Sequence, residues 1–480
     1  MKKNIQKKRK AIGRREFLSS CGKMTGIGLM SSAINLTMAS KLLAARPSGS
    51  INDYKGLVCV FLGGGCDSYN MLAPGVAGFG DYTATRGQVA IAQNEMHRIV
   101  DQSASQDYHL NGNMNGVRDM FESGDLSFVS NVGTLVEPLT LETFRNGGKR
   151  PLGLSSHFDQ RIQWQNSLPN TRGGSLAGTG WVGRMSEVLN DAANNNASVN
   201  ANIVLGGNSL LQTSRSGAPL SLNGGAQEFD LYNNNNNVNV RSAIDNDLDT
   251  QYSSIIQNHY NHIRDEAIEQ NNNLIDIQNN TRINTRFPNT GLGNQLRLVA
   301  IYIKAHGVDG LNANRQTFLV GQGGYDMHRG VTTRLAGRLR ELSDALNAFN
   351  SAMHEIGLHD QVVTYTASDF GRVLTANRTG TNHGWGGNHI VMGGAVDGGR
   401  VLGRYPSLAL GSDVDIGNGR LMPTTSVDEL HSSLAYWFGV DNNSEMETIL
   451  PNIRNFWQRT NVNEESLGLF TRDGLANRSS

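Results

Sequence analysis

The stretch "KGLVCVFLGGGCDSYNMLAP", residues 55–74, decides how the rest of the chain is interpreted. Its first part, residues 56–62, is a short apolar run rich in Val and Leu, which predicts a strand buried on both faces. Three glycines then end the run and lead to Asp67. Because strands covered on both faces belong to sheets flanked by helices, the stretch predicts an α/β fold with an aspartate just beyond a strand.

The same order occurs twice more along the chain. "RQTFLVGQGGYDMH", residues 315–328, is a strand-like run that breaks at glycines before Asp326, and "QVVTYTASDFGR", residues 361–372, places Asp369 after its apolar run. Any one of these aspartates is adequately explained as a turn or helix-capping residue. Three of them after three strands indicate one shared edge of the sheet, because ligand-binding loops gather at the carboxyl ends of parallel strands.

Strand and helix patterns alternate through most of the chain. Further strands are predicted by "DLSFVSNVG", "ANIVLGG" and "NHIVMGG", and helices by "MNGVRDMFESG", "SSHFDQRIQWQNSL", "GNQLRLVAIYIKAH" and "SVDELHSSLAYWFGV". From Val331, apolar residues at steps of three and four as far as residue 356 predict a long helix with one face against the sheet. We therefore predict an α/β fold whose central, largely parallel sheet is flanked by helices.

One internal segment has a different composition. Residues 207–290 are rich in asparagine, and one long helix is predicted from about 243 to 280. We interpret this segment as a mostly helical insert, either a lid or a peripheral subdomain. It would divide the α/β core into residues 50–206 and 291–460, and a C-terminal tail of residues 461–480 would follow.

The amino terminus, residues 1–45, predicts an export signal. A basic stretch, "KKNIQKKRK", precedes Arg14 and Arg15, which are followed by Phe17, Leu18 and a weakly apolar run. This pattern is typical of twin-arginine signals, so we expect the twin-arginine export machinery as a partner and a periplasmic or secreted mature protein. The alternative of an uncleaved anchor is weaker, because Gly, Ser and Asn interrupt the run. We expect no stable membrane span in the mature chain.

The charges and cysteines exclude other classes of protein. The 480 residues have no formal net charge, but residues 1–39 hold nine Lys or Arg and one acid, which leaves 33 basic and 41 acidic residues. That net charge of −8 argues against a nucleic-acid partner. Only Cys59 and Cys66 follow this segment, so one disulfide is allowed but a disulfide scaffold or a cysteine zinc site is not.

The three aspartates beyond the strands predict a metal centre. Carboxylates gathered without a counter-charge repel one another, and a bound divalent cation removes that penalty. Histidines are present in the same predicted loops, and mixed Asp/His ligation suits Zn²⁺, Mn²⁺ or Fe, with Mg²⁺ also open, and one or two ions. The predicted ligands are Asp67, Asp326, His328, Asp369, His383 and His389.

Seven stretches together resemble an exported bacterial family called domain of unknown function 1501. They are "LGGGCDSYNMLAP", "SFVSNVGTLVEP", "SHFDQRIQWQ", "GYDMH", "SDFGR", "TNHGWGGNHIVMGG" and "LAYWFGV", and the resemblance spans roughly residues 50–457. The family is similar to the alkaline phosphatase and sulfatase superfamily. The resemblance therefore implies an alkaline-phosphatase-like fold, a metal centre, and a nucleophilic side chain at the start of a helix.

The resemblance also implies a role for individual residues. Asp67 matches the early metal aspartate, and Ser156, or Ser155 beside it, falls where the nucleophile should be. Asp326 and His328 match the later metal pair. The strand-end aspartate corresponds to Asp369, and the last metal histidine corresponds to His383, with His389 as the alternative.

The sequence departs from the superfamily at Phe370, where the related phosphatases have a histidine. The departure leaves room for a single metal, a weaker second metal, or lost catalysis. Arg372 could compensate by binding an anionic substrate oxygen, although an ion pair with a nearby carboxylate explains it equally well. His157, next to Ser156, is a further candidate for a general acid or a ligand.

These features predict an exported, metal-dependent hydrolase of phosphate or sulfate esters with a serine nucleophile and an anionic ester as its substrate. One alternative is a binding or assembly protein that keeps the fold but has a degraded metal site. Another is a metal-free serine esterase, which is weakened because the chain contains no G-x-S-x-G sequence.

Overall fold

A nine-stranded mixed sheet lies at the centre of the part of the chain that the computed structural model describes. The described residues are 51–171, 176–194, 201–207, 209–222, 225, 238–307, 311–456 and 467–476. The predicted export signal therefore lies outside the described residues, as do most of the asparagine run before residue 238 and parts of the predicted tail.

Fourteen strands are found among the described residues, and they form one large and two small sheets. They are β1 (Lys55–Leu62), β2 (Leu72–Pro74), β3 (Met96–Val100), β4 (Asp107–Asn111), β5 (Leu126–Gly133), β6 (Asn202–Val204), β7 (Leu220–Ser221), β8 (Arg315–Gln322), β9 (Val362–Ser368), β10 (Arg372–Asn377), β11 (Gly380–His383), β12 (Gly387–Met392), β13 (Val401–Leu402) and β14 (Thr425–Ser426).

The large sheet has the order β13-β5-β12-β9-β1-β8-β6-β7, with β14 also pairing with β5. All its strand pairs are parallel except the two that β12 makes, with β5 and with β9. Strands β2, β4 and β3 form a small antiparallel sheet, and β10 pairs with β11 as a hairpin. The prediction of a largely parallel central sheet is confirmed.

The helices cover this sheet, as predicted for an α/β fold. They are α1 (Ser68–Met71), α2 (Val76–Arg86), α3 (Asn115–Ser123), α4 (Leu141–Arg145), α5 (His157–Asn166), α6 (Trp181–Ala193), α7 (Val238–Asp249), α8 (Ile255–Asn280), α9 (Gly291–Lys304), α10 (Val331–Ile356), α11 (Val427–Phe438), α12 (Asn443–Ile449) and α13 (Arg472–Ala476).

The sequence periodicity of α10 explains its packing. The apolar residues that recur from Leu335 to Met353 at steps of three and four are buried in the core. Helix α11 begins at Ser426, whose hydroxyl accepts a hydrogen bond within a capping box, as its Ser-x-x-Glu sequence indicates.

The described residues of the asparagine-rich region contain two helices in place of the single predicted one. Helix α7 ends at Asp249 and α8 begins after Ser254, whose side chain caps the new helix by accepting a hydrogen bond from the backbone of Gln257. The periodicity continued across the break, but a serine N-cap starts a new helix. On α8, Leu274 and Ile277 are buried in the main core. Within the described residues, every helix is too short or too polar to cross a bilayer.

The register of the three central strands brings their carboxyl ends level. Leu62 at the end of β1 pairs with Gln322 at the end of β8 and with Ser368 at the end of β9. Since these strands are parallel and adjacent, the loops that follow them start at the same edge of the sheet. Strand β12 runs in the opposite direction, so the segment before its first residue, Gly387, approaches the same edge.

Candidate metal centre

Three side chains form a triangle of potential ligand atoms beyond β8. Asp326 Oδ1 lies 2.9 Å from His328 Nε2 and 3.3 Å from His383 Nε2, and the two histidine nitrogens are 3.1 Å apart. Atoms bound to one ion at about 2.0–2.2 Å lie about 2.9–3.5 Å from one another, so the triangle has the size of one face of a coordination shell. All three side chains are partly exposed.

The proton arrangement of the triangle also favours a cation. His383 Nδ1 lies 2.9 Å from the carbonyl oxygen of Ser155, which can only accept, so Nδ1 carries the proton and Nε2 has a free lone pair. A single proton on His328 Nε2 satisfies one of its two close contacts. A divalent cation would satisfy the lone pairs of Asp326, His328 and His383 together.

His157 completes the group from the start of α5. Its Nδ1 lies 2.8 Å from Asp369 Oδ2, and its Nε2 lies 3.7 Å from Asp326 Oδ2. Ligand atoms of His157, Asp326 and His383 all lie within 4.8 Å of one another. Because the carboxylate of Asp369 accepts the Nδ1 proton, it leaves the Nε2 lone pair of His157 directed at the centre. This is the arrangement that carboxylates commonly impose on metal-binding histidines.

Two buried polar atoms at the centre have no hydrogen-bond partner among the described residues. They are Nε2 of His157 and Oδ1 of Asp369. Buried polar atoms are usually satisfied by a protein partner, a water or an ion, so a cation bound at the centre would account for both atoms. Imidazole nitrogens with carboxylate oxygens form a donor set that suits Zn²⁺, Mn²⁺ or Fe, so the residues present fit a divalent cation.

A glycine loop supports Asp369 and Asp326. The backbone N–H of Gly64 donates to Asp369 Oδ2 at 2.7 Å. Gly64 has a φ of 118°, and a Cβ atom there would lie 2.4 Å from the backbone nitrogen of Asp326. Only glycine allows this conformation and this approach, which explains the glycine run after the first strand.

The surroundings lower the pKa values of both Asp326 and His383. Partial burial raises the pKa of Asp326, but the hydrogen bond and charge of Arg372, with the charge of His328, outweigh it and leave the pKa below its usual value. Burial lowers the pKa of His383, and the charges of Arg372 and His157 lower it further. Both shifts favour the metal-binding forms, a carboxylate and a neutral imidazole.

Asp67 is held differently from the other two aspartates. Its Oδ2 accepts a hydrogen bond from Arg86 Nη2 at 2.5 Å, and both side chains are almost fully buried. Thr381 Oγ1 lies 3.4 Å from the same oxygen. Asp67 thus lies beside the centre with an arginine as its counter-ion, while its Oδ1 has no partner among the described residues.

Arg372 forms internal contacts with each part of its guanidinium group. Nη1 donates to Asp326 Oδ1 at 3.0 Å, and Nε and Nη2 donate to the hydroxyl and the carbonyl of Thr381. The side chain is fully buried. Of the two roles considered for Arg372, the ion pair with a carboxylate is the one seen in this structure.

The two candidate serines lie at the start of α5. Ser156 is the N-cap, and its Oγ accepts a hydrogen bond from the backbone N–H of Asp159 at 3.2 Å. Ser155 is exposed and contacts His383 through its carbonyl oxygen. Because the Ser156 hydroxyl only accepts in this cap contact, its proton is free to be donated. Ser156 directly precedes His157 in the sequence.

His383 and His389 have separate surroundings. His383 belongs to the triangle, whereas His389 lies inside β12, where it is buried with its ring 4.7 Å from that of Trp164. Burial lowers the pKa of His389 to about 4. His389 is therefore a neutral core histidine that does not join the triangle, because two residues into β12 the chain has already entered the sheet.

Phe370 occupies space next to the centre. Its ring centroid lies 4.7 Å from that of His157 and 4.6 Å from that of His383. The ring is buried, and it packs against Gly65, where a Cβ atom would lie 2.4 Å from it. The residue after Asp369 thus contributes an aromatic ring and no ligand atom to the centre.

Sequence reasoning missed Arg86 and undervalued His157. Arg86 ends α2, where a basic residue is usual for its interaction with the helix dipole, so its sequence gave no sign of a buried partner. His157 directly follows the N-cap, and adjacent side chains usually point in different directions. The pair of serines before His157 predicted that the helix would start there, and this signal could have placed His157 at the centre.

An α/β protein with a cluster of aspartate and histidine side chains at the carboxyl edge of its sheet is the class that these observations define. The chain belongs to the family described as a protein of unknown function, DUF1501, whose family model matches residues 154–454. This match is shorter than the expected span of residues 50–457. It includes His157, Asp326, His328, Asp369 and His383 but not Gly64, Asp67 or Arg86. A search of curated proteins found no relative of the chain.

Proposed function

We propose that the protein is an exported hydrolase of phosphate or sulfate esters, built on an alkaline-phosphatase-like fold and dependent on one divalent cation. The observation that supports the proposal most directly is the triangle of Asp326, His328 and His383, with interatomic distances of 2.9–3.3 Å. His157 would be a fourth ligand. The order of these residues along the chain is similar to that in the phosphatase and sulfatase superfamily.

A cation bound there would supply positive charge that stabilises negative charge on the ester oxygens and favours ionisation of a nucleophilic hydroxyl. The protein's own residues have definite tasks. Asp369 fixes the orientation of His157, and Arg372 fixes that of Asp326. The first turn of α5 presents backbone N–H groups beside the centre, which suits a bound anion.

Ser156 is the proposed nucleophile, with Ser155 as the alternative. The Ser156 hydroxyl lies at the amino end of a ten-residue helix and keeps its proton for transfer. Its Oγ would bond to the phosphorus or sulfur of the ester while the alcohol leaves, and water would later release the anion. Because its Nδ1 proton is donated to Asp369 and its Nε2 is directed at the ion, His157 would hold the cation, and the leaving alcohol would take its proton from water.

Two matched histidine variants test the proposal. The full chain is incubated with Zn²⁺, Mn²⁺, Fe²⁺ or Mg²⁺, its metal content is measured, and turnover of aryl phosphates and aryl sulfates is followed. We expect His383→Asn to lower the metal content by about one equivalent and to abolish turnover. His389→Asn is the control that should retain the metal. Equal metal content in both variants would contradict the metal centre.

One observation favours a second candidate, a non-catalytic binding or assembly protein on the same fold. Arg86 takes the place of a cation beside Asp67, and Phe370 fills the position of a ligand. If the protein binds stoichiometric metal but hydrolyses neither ester with any of the four ions, this candidate replaces the hydrolase.

The metal-free esterase remains a third candidate because of the His157–Asp369 pair, which resembles the base and orienting acid of a serine hydrolase. This candidate requires a serine hydroxyl near His157 Nε2, whereas Ser156 Oγ accepts a hydrogen bond from the backbone N–H of Asp159. Esterase activity that persists in a chelator and disappears in Ser156→Ala would support it.

A further inference from the structure

A second group of metal-ligating side chains lies at the other edge of the sheet, before the amino ends of β5 and β9. It consists of Asp125, directly before β5, of His354, in the last turn of α10, and of His359, in the 3-10 turn that leads into β9. One ligand atom from each residue lies within 4.8 Å of the others. The metal centre described above follows the carboxyl end of β9, so the two groups are distinct.

The local sequence "HEIGLH", residues 354–359, explains how the two histidines meet. Gly357 ends α10 in the left-handed region, with a φ of 71°, and its N–H donates to the carbonyl of His354 at 3.1 Å. The turn folds His359 back onto His354, and the two rings stack with centroids 3.7 Å apart. Two imidazoles in this contact repel when both are protonated, whereas neutral rings can share one cation.

Asp125 presents one oxygen to each histidine. Its Oδ2 lies 3.7 Å from His354 Nε2, and its Oδ1 lies 3.7 Å from His359 Nε2. The buried side chain of Asn350 holds the carboxylate by donating to Oδ2 at 2.9 Å, and its own Oδ1 lies 3.0 Å from His359 Nε2. Two imidazole nitrogens, a carboxylate and an amide oxygen therefore converge, and this donor set suits Zn²⁺ better than Ca²⁺.

The surroundings add an electrostatic preference for a cation. Helix α10 has 26 residues, and the negative end of its dipole lies in the last turn, where His354 is found. Asp360 Oδ1 lies 3.7 Å from His359 Nδ1, on the side of the ring away from the group. Without a metal, Nε2 donates its proton to Asn350 Oδ1, which can only accept. A bound cation would displace that proton, and Asp360 would then stabilise a proton on Nδ1.

We propose that Asp125, His354 and His359 form a second site for a divalent cation of the Zn²⁺ class, with Asn350 as an orienting residue or fourth ligand. A cation bound there would join the end of α10 to the starts of β5 and β9, so its role would be structural. The proposal rests on this geometry alone and does not depend on the hydrolase.

The test uses the full chain in a background that disables the first centre, Asp326→Asn/His383→Asn. After removal of metals with a chelator, Zn²⁺ alone is titrated by calorimetry, and the metal retained after gel filtration is measured. We expect the background protein to bind one equivalent of Zn²⁺ and to show a higher Tm with Zn²⁺. Addition of His354→Asn/His359→Asn should weaken this binding at least tenfold and remove the rise in Tm.

Two further variants guard against misleading results. His97→Asn in the same background removes a histidine whose Nε2 lies 3.1 Å from a backbone oxygen, that of Gly112, and it should leave Zn²⁺ binding unchanged. Asp125→Asn keeps the shape of the side chain and should lose the Zn²⁺ if the double histidine variant does not fold. The proposal is refuted if the background protein binds no Zn²⁺, or if it binds Zn²⁺ equally well after Asp125→Asn.

Discussion

The buried ion pair between Arg86 and Asp67 allows a direct test of how the negative charge of Asp67 is compensated. Replacement of Arg86 by Met keeps much of its apolar volume but removes the charge. Asp67 would then be left almost completely buried, 2% exposed, without the guanidinium that lies 2.5 Å from its Oδ2. A carboxylate in that state is strongly destabilised unless it takes up a proton or binds another cation.

The expected loss follows from the geometry. Opposite charges whose centres are about 4 Å apart attract by about 4 kcal/mol at an effective dielectric constant of about 20. Removal of one member of a buried pair typically destabilises a protein by about 3–5 kcal/mol. We therefore expect Arg86→Met to lower the free energy of unfolding by about 3–5 kcal/mol. The double variant Arg86→Met/Asp67→Asn should recover about half of that loss, because no unpaired charge remains.

Equilibrium unfolding in urea, analysed by linear extrapolation, measures these differences. The control is Arg98→Met, which breaks the ion pair between Arg98 and Asp107. Because the Arg98 side chain is 62% exposed, this variant should change the free energy of unfolding by less than about 1 kcal/mol. Two results would show that Arg86 is not the counter-ion of Asp67. One is that Arg86→Met changes the stability no more than this control, and the other is that the stability losses of Arg86→Met and Asp67→Asn simply add in the double variant.

Two further predictions concern stability away from the ion pair. Burial raises the pKa of Asp428 to about 7, so the protonated form stabilises the fold at pH 4 and this contribution is lost as the pH rises to 7. The free energy of unfolding of Asp428→Asn, measured in urea, should therefore rise relative to that of the wild type by roughly 2–4 kcal/mol between pH 4.5 and pH 8. A difference that does not change with pH would disprove the shift. Gly64→Ala should destabilise the protein by at least about 2 kcal/mol and reduce metal retention, since a Cβ atom would lie 2.4 Å from the backbone of Asp326. Gly80→Ala, at an exposed position of helix α2 with open space at its Cβ position, should not lower the stability and is the comparison in the same assays.

The sheet edge could be predicted because it depends on local patterns. The buried strands, their glycine breaks and the helical stripe of α10 are each encoded within a short segment, and parallel strands then bring their carboxyl ends together. Asp326 and Asp369 could therefore be placed at one edge from sequence alone. The match in level of the three strand ends, seen in the register of Leu62 with Gln322 and Ser368, is the reason this inference succeeded.

The contacts that assign a task to each side chain could not be predicted in this way. The glycine-rich stretch after Asp369 was expected to be a loop, yet it forms the hairpin β10–β11, which returns His383 to the edge. Strand β12 then runs away from this edge, so His389 lies inside the sheet while His383 stays at the edge. The six residues of β12 carry no signal that the strand runs antiparallel to its neighbours. Pairing of Arg86 with Asp67 depends on the packing of α2, which lies outside any local pattern.

The three carboxylates at and beside the metal centre are compensated in two different ways. Asp67 and Asp326 each have a buried arginine partner, Arg86 and Arg372, and these charges cannot leave the protein. In the part of the chain that the structure describes, no arginine or lysine pairs with Asp369: its Oδ2 accepts from a backbone N–H and an imidazole N–H. Its charge is therefore compensated only by dipoles, which makes its side of the pocket the one with most to gain from a bound cation.

This distribution argues for one exchangeable divalent cation. A second ion between Asp67 and Asp369 would lie beside two fixed guanidinium groups, which repel it, and the neighbouring Phe370 offers no ligand atom. An ion next to Asp326 would also lie near one guanidinium group, since Arg372 donates to Asp326 Oδ1, but three imidazole nitrogens and the remaining lone pairs of the carboxylate would be available to bind it. We therefore expect metal titrations of the centre to saturate at one equivalent, and any ester hydrolysis to follow occupancy of that single ion.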